Sequence, residues 1–493
     1  MERAGGINLW RVVQQWKAIS LSDLLWDSQS YIPDSTAVDE KAKILLKEEK
    51  ALVDKIDSAE PYDRPNLRRQ LRMHWIQMAS HPGLTSFSTM KLGMGATFEH
   101  LKQIQHKSSQ VGIGNSTIIF VDWMRHSDDL LLFAVRCSST SQTLTYWRLP
   151  LKYQDAESWV RRRMRGSPVS GGTGPLSRKR LEDANHLTEL SELIDPLRGS
   201  IKEAELLVLC PSGILNEIPI HAIPLKGSDV PLLTTNPIIY SSSHAIMKSC
   251  VDAAFQKLGS DQPNDHFVAL GRFGEDLDVF EDKLIKDMVI ELAGQFDGVH
   301  ATGNDLKRDT FKTSVVGADF IHYHGHATCE SDASIRSLVL QPDPANGDNG
   351  RFMVDDIFQL QLHSPHVTLL ACASGEQDIS INDDPFGIVT AFLCAGATSV
   401  AGTLWPTDCR DASAFCDLFY DEIKGEGSLV INLAQAMQKT VLKLREDWDS
   451  DDPSHWAQFI LCKLTPADST ALHIKNLILR HPDGSWFCRN VSK

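Results

Sequence analysis

Two stretches decide the reading of this chain: DFIHYHGHA at residues 319–327 and HVTLLACASG at residues 366–375. After Asp319 and His366, both continue in apolar, β-branched or aromatic residues and both end in small ones, the signature of a core strand running out into a turn. In the first, Gly325-His326 falls where the strand ends. In the second, Val367 to Leu370 form the buried strand, and Cys372-Ala373-Ser374-Gly375 is the turn after it. If the two strands are neighbours in one sheet, an imidazole and a thiol meet at its carboxyl edge, where open α/β sheets place their chemistry.

The surroundings support such a sheet. ELLVLCPSGIL (205–215), HFVALGRF (266–273) and SVAGTLWPT (399–407) read as further strands. Between them, NHLTELSELIDPLRGSI (185–201), HAIMKSCVDAAFQKLG (244–259), DKLIKDMVIELAGQF (282–296), DPFGIVTAFLCAGA (384–397), DASAFCDLFYDEIKG (411–425) and LVINLAQAMQKTVLKLRED (429–447) read as helices. Alternation of this kind predicts a parallel sheet with helices on both faces. Upstream, STIIFVDWM (116–124), DLLLFAVRC (129–137) and QTLTYWRLP (142–150) are three adjacent strands. Residues 1–110 are helical in pattern, without a clean repeat period. Residues 161–180, with seven basic residues among Gly, Ser and Pro, read as a loop, or more sharply as a processing site for a basic-specific protease. The resulting division is 1–110 helical, 111–260 a first α/β half including that loop, 261–465 the half that carries the two decisive stretches, and 466–493 a tail.

Composition excludes several classes. The 493 residues are 42% hydrophobic and 23% charged, with no apolar run long enough for a membrane span. A net charge of -15 argues against a nucleic-acid binder, whose phosphate contacts need local positive charge. The first residues show no secretory pattern. Ten scattered cysteines with no C-x-x-C pair point to reduced thiols and a cytoplasmic location.

Chemistry then follows from residue type. A cysteine nucleophile needs a base or an imidazolium nearby and donors for the oxyanion it creates. His326 supplies the base, Cys372 the thiol, and the Gly325 and Cys372 amides the donors. His326 precedes Cys372 by 46 residues, in the class of spacing, about 50 residues, found in caspase-type peptidases.

HYHGHA (322–327), LLACASG (369–375) and FLCAGATSVAGTLWPTDCRDASAFCDLFYDEI (392–423) resemble the CHAT domain, a caspase- and separase-related cysteine peptidase family of clan CD. LCPSGILNEIPIHAIPL (209–225) resembles the family's entry motif and SHWAQFILCK (454–463) its closing segment, which usually ends in Gly where Lys463 stands here. The family often has Gly after the histidine; here it is Ala327, also small. The resemblance covers residues 180–465, and the 115–150 strands fit the pseudo-caspase half that often precedes the active one. It implies His326 as general base and Cys372 as nucleophile. It also implies Gly402, Thr403, Leu404 and Trp405 beside the substrate, near Ser374. Asp408 is a candidate floor for a basic P1 pocket, or the cap of the following helix. The expected activity is limited cleavage of a protein substrate, in regulated proteolysis such as immune or cell-death signalling, without metal or organic cofactor. A regulatory protein bound to the N-terminal helices is the further partner expected.

The rivals are a non-catalytic scaffold and a zinc site on His322, His324 and His326 with Cys329 or Glu330. Strand residues two apart sit roughly 6.5–7 Å from each other, too far for a tetrahedral zinc site. No complete phosphate-binding motif and no G-x-S-x-G elbow occurs. His221 and His244 read as packing or capping residues.

Overall fold

A computed structural model describes residues 6–15, 17, 39–60, 62–81, 84, 88, 91–110, 117–164, 181, 183–245, 247–248, 251–252, 255, 266–272, 279–328, 336–360, 362–371, 378–379, 385–424, 432–448, 452–463, 477–480 and 486–489. The runs expected as strands are strands: β1 (Thr117–His126), β2 (Asp129–Ser138), β3 (Gln142–Lys152), β4 (Leu206–Cys210), β6 (Phe267–Arg272), β8 (Phe320–Gly325), β11 (His366–Ala371) and β14 (Ser399–Thr403). Three more complete the sheet: β5 (Ile238–Tyr240), β7 (Val299–Thr302) and β15 (Phe459–Lys463). β5 and β7, with three and four residues, are at or below the length at which alternation becomes a signal. Short pairs β9 (Ser337–Val339) with β10 (Arg351–Met353), and β12 (Asp378–Ile379) with β13 (Pro385–Phe386), lie outside it. A last hairpin pairs β16 (Leu477–Arg480) with β17 (Trp486–Arg489).

The sheet has 11 strands in the order β3-β2-β1-β4-β5-β15-β14-β11-β8-β6-β7. It is mostly parallel, as the alternation predicts; β2, β3 and β15 bring in the antiparallel pairs. β4, β8 and β11 are buried along their whole length, which is why they read as continuous apolar runs. The two halves of the sequence share this one sheet. β15, late in the chain, lies between them, antiparallel to β14 and parallel to β5.

The N-terminal helices divide by packing. Trp10 and Val13, with Leu101 and Ile104 of the helix Phe98–Gln110, join the main core. The helices Glu40–Ser58 and Arg64–Ala79 close a core of their own around Leu45, Leu71, Trp75 and Met78, where Glu49 accepts from Trp75 Nε1 and pairs with Lys91, both at 2.7 Å. Two expectations change. Residues 185–201 form one short turn of helix and two 3-10 turns, because Pro196 interrupts the pattern. Arg161, Arg162 and Arg163 end the helix Tyr153–Arg163 and are not loop; residues 165–180 lie outside those described.

Candidate functional site

β8 and β11 are adjacent and parallel, in the register Thr368↔His322, Leu370↔His324 and Ala371↔Gly325. The residues that follow this last pair in the sequence are His326 and Cys372. His326 is half-buried; Cys372 and Ser374 lie outside the described residues, as do Cys329 and Glu330.

The backbone of His326 is held from two sides. Its carbonyl accepts from the Val339 N–H of β9 at 2.9 Å and from the Tyr323 hydroxyl at 3.0 Å. The next turn is fastened to the same strand: Thr328 N–H donates to the Ser337 carbonyl at 2.9 Å, and Ser337 N–H to Thr328 Oγ1 at 3.0 Å. Gly325 is required by close approach. A Cβ there would collide with the Arg272 carbonyl of β6 and lie 2.7 Å from the Tyr323 hydroxyl. Nothing in the strand pattern points to Tyr323 as the residue that anchors the histidine, because its period places it among core aromatics.

On the other flank of β11, Thr403 is fully buried and its hydroxyl donates to the Ala371 carbonyl at 3.0 Å. It therefore fixes the residue immediately before Cys372 in the chain. Leu404 and Trp405 are also buried, with Trp405 Nε1 directed at the Ser454 carbonyl at 3.4 Å. The side chains of Thr403, Leu404 and Trp405 thus belong to the core. Asp408 caps the helix Cys409–Lys424: its carboxylate accepts from Arg410 N–H at 2.9 Å and its carbonyl from Ala412 N–H at 3.0 Å. Asp411 lies buried in the first turn of that helix, 2.9 Å from His455 Nδ1.

Alternation along β8 sends His322 and His324 to the face covered by the helix Cys409–Lys424. His322 Nδ1 is 3.1 Å from Tyr420 Oη, and Tyr420 donates to Thr368 Oγ1 at 3.0 Å. Thr368 lies 3.0 Å from His366 Nε2, and His366 Nδ1 2.8 Å from Ser399 Oγ. A polar line thus runs under β8, β11 and β14. Burial pushes His322 down to about 3, and holds His324 well below the usual range with His322 and His326 adding to the effect. Burial, with Asp417 adding, raises the Cys416 thiol well above its ordinary value.

A second polar cluster occupies the other half. Asp122 on β1 is the register partner of Cys210 at the end of β4. The Lys17 ammonium lies 3.1 Å from Asp122 Oδ1, 2.6 Å from the Cys210 carbonyl and 3.1 Å from Cys210 Sγ. Trp10 Nε1 and His244 Nε2 reach Asp122 Oδ2 at 3.0 and 2.9 Å. His244 is accordingly a buried partner of a carboxylate, and the N-terminal helix is docked at the end of β4. Burial alone would lower Lys17 and raise Asp122. The charges around each outweigh it and leave the lysine above, the aspartate below, its ordinary value.

A model of the CHAT domain matches residues 182–463, more than half of the chain. The chain belongs to the CHAT domain family. The boundaries of the match are within two residues of the stretch whose motifs carry the resemblance. Among solved structures, two of the Saccharomyces cerevisiae separase–securin complex are similar to this CHAT chain at 10% identity, with TM-scores of 0.44 and 0.46. In both, 92% of this chain aligns with 40% of that one, so the chain spans about two fifths of the separase length it matches. A complex of Porphyromonas gingivalis RgpB pro- and mature domains is similar at 10% identity, with a TM-score of 0.36, over 60% of this chain and 73% of that one. Comparison with curated proteins finds no match. Among the described residues no helix is long and apolar enough to cross a membrane.

Proposed function

We propose that this CHAT protein is a cysteine endopeptidase that cuts a protein substrate at a limited number of sites through a dyad of Cys372 and His326. The observation that carries the reading is the parallel register of β8 and β11, which ends on Gly325 opposite Ala371 and leaves His326 and Cys372 as the next residue of each chain segment. The bonds that anchor the His326 carbonyl and the Ala371 carbonyl give both segments the rigid support a catalytic pair needs.

In this reading His326 takes the thiol proton and the Cys372 sulfur attacks the substrate carbonyl. The Gly325 and Cys372 amides receive the oxyanion, and the intermediate collapses to a thioester as His326 gives its proton to the leaving amine. Water, deprotonated by the same histidine, releases the acid and restores the thiol. Ser374 and the main chain of 402–405 line the substrate, and Asp408 is the candidate for a P1 contact in competition with its capping role. Regulated proteolysis in the cytoplasm, of the immune or cell-death kind, is the setting the family suggests. The helices Glu40–Ser58 and Arg64–Ala79, with a core of their own, are the surface for a regulatory partner.

The test is co-expression of wild type and Cys372→Ala with candidate substrates, read by mass spectrometry of new protein termini. New termini with wild type and none with the variant support the peptidase. Identical termini in both favour a catalytically silent scaffold.

A further inference from the structure

The residues His322, His324 and Cys416 are all buried, and their nearest ligand atoms lie within 4.8 Å of one another. Strand spacing alone keeps three alternating histidines of one strand too far apart for an ion. The structure meets that objection in two ways. The His322 and His324 rings are 6.1 Å apart between centroids but tilted by 73°, so that nitrogens approach more closely than ring centres. The third donor is not His326 but Cys416, from the helix packed over the strand.

The hydrogen bonds set the protonation of His322. Tyr420 has one proton and donates it to Thr368 Oγ1; its oxygen can then only accept from His322, so Nδ1 carries the hydrogen. The other nitrogen, Nε2, is left as a bare lone pair, buried and with no hydrogen-bond partner. A metal-ligating histidine has this arrangement, with one nitrogen donating to an outer partner and the other presented to the ion.

Asp122, Cys210 and His244 also approach within 4.8 Å. There the Lys17 ammonium already stands among the donors, bonded to Asp122 and to both the carbonyl and the sulfur of Cys210. That cluster has its cation built in. At His322, His324 and Cys416 the donors are two imidazoles and a thiol, a set that selects soft metal ions over Mg2+ or Ca2+.

We propose that His322, His324 and Cys416 bind one thiophilic closed-shell cation, Cu+ or Zn2+. Binding displaces the Cys416 proton to solvent and forms one metal–sulfur and two metal–nitrogen bonds, with no change of oxidation state. Around such an ion, donors stand about 3.3–3.7 Å apart, so the three side chains close in by small rotations. Cu+ with one thiolate is neutral and satisfied by three ligands. Zn2+ retains one positive charge and an open fourth position, to be filled by hydroxide.

The full chain, reduced and without oxygen, is loaded with Zn2+ in one arm and Cu+ in the other, freed of loose metal over a chelating resin, and its metal counted. Wild type and Cys372→Ala each retain about one ion per chain in at least one arm, and Cys416→Ser loses at least about nine tenths of it. X-ray absorption of the wild-type complex shows one sulfur and two nitrogen neighbours, joined by one oxygen in the Zn2+ arm. The arm that loads tells the two ions apart. No retained metal in either arm overturns the proposal, as does metal that Cys372→Ala loses and Cys416→Ser keeps. If Cys416→Ser does not fold, the absorption spectrum decides: a sulfur-free shell overturns the site.

Discussion

Under β1 and β4, a carboxylate, a thiol and an imidazole are gathered around the ammonium of Lys17; under β8, two imidazoles and a thiol face one another beside Tyr420. The difference lies in which groups can shed their charge. A buried carboxylate without a cation costs several kcal/mol, so Asp122 is matched by Lys17, His244 and Trp10. Imidazoles and thiols can enter the core neutral, and there they keep lone pairs. The first cluster is an electrostatic clamp that fastens the N-terminal helix to the sheet. The second stores uncharged donors two residues before His326.

Four measurements test how different the halves are, the largest effect first. Cys372→Ala is expected to lower cleavage on the order of 10^4-fold, whereas Cys210→Ala, also at the end of a parallel strand, leaves it within a few-fold; equal losses would erase the distinction. Lys17→Met leaves Asp122 short of its cation and is expected to destabilise the fold by about 3–5 kcal/mol in urea unfolding. A loss below about 1 kcal/mol would mean that the clamp is ornamental. Acid should act through the neutral histidines. His221 and His322 are both held by burial at about 3 in the fold, against an ordinary value of 6.5. The unfolded chain therefore binds protons that the fold refuses, and stability falls from pH 6.5 downward, by about 1.4 kcal/mol per pH unit for each group. Urea midpoints from pH 7 to 5 that stay flat would contradict this. The smallest effect is Asp408→Ala, about 1 kcal/mol for a lost cap; peptide-library profiling of the same variant shows whether the carboxylate also chooses the P1 residue.

The parallel order was legible because alternating strand and helix patterns speak directly about a sheet; the sequence left open whether DFIHYHGHA and HVTLLACASG are neighbours, and the register of β8 and β11 supplies that. What the sequence hid depends on which face meets which. Cys416 reads as one more core thiol until the helix is seen lying over His322. Lys17, far from Asp122 in the chain, gives no local sign of its partner. The resemblance sets Thr403 beside the substrate and gives no sign that its hydroxyl is committed to the Ala371 carbonyl.

The position of β15 has a consequence for how the molecule is made. Residues 459–463 lie between β5 and β14, near the middle of the sheet. As the nascent chain leaves the ribosome, the strands on either side emerge well before the one that joins them. The seam stays open until residue 463 has been translated, so a chain interrupted upstream of it cannot zip its two parts into one sheet.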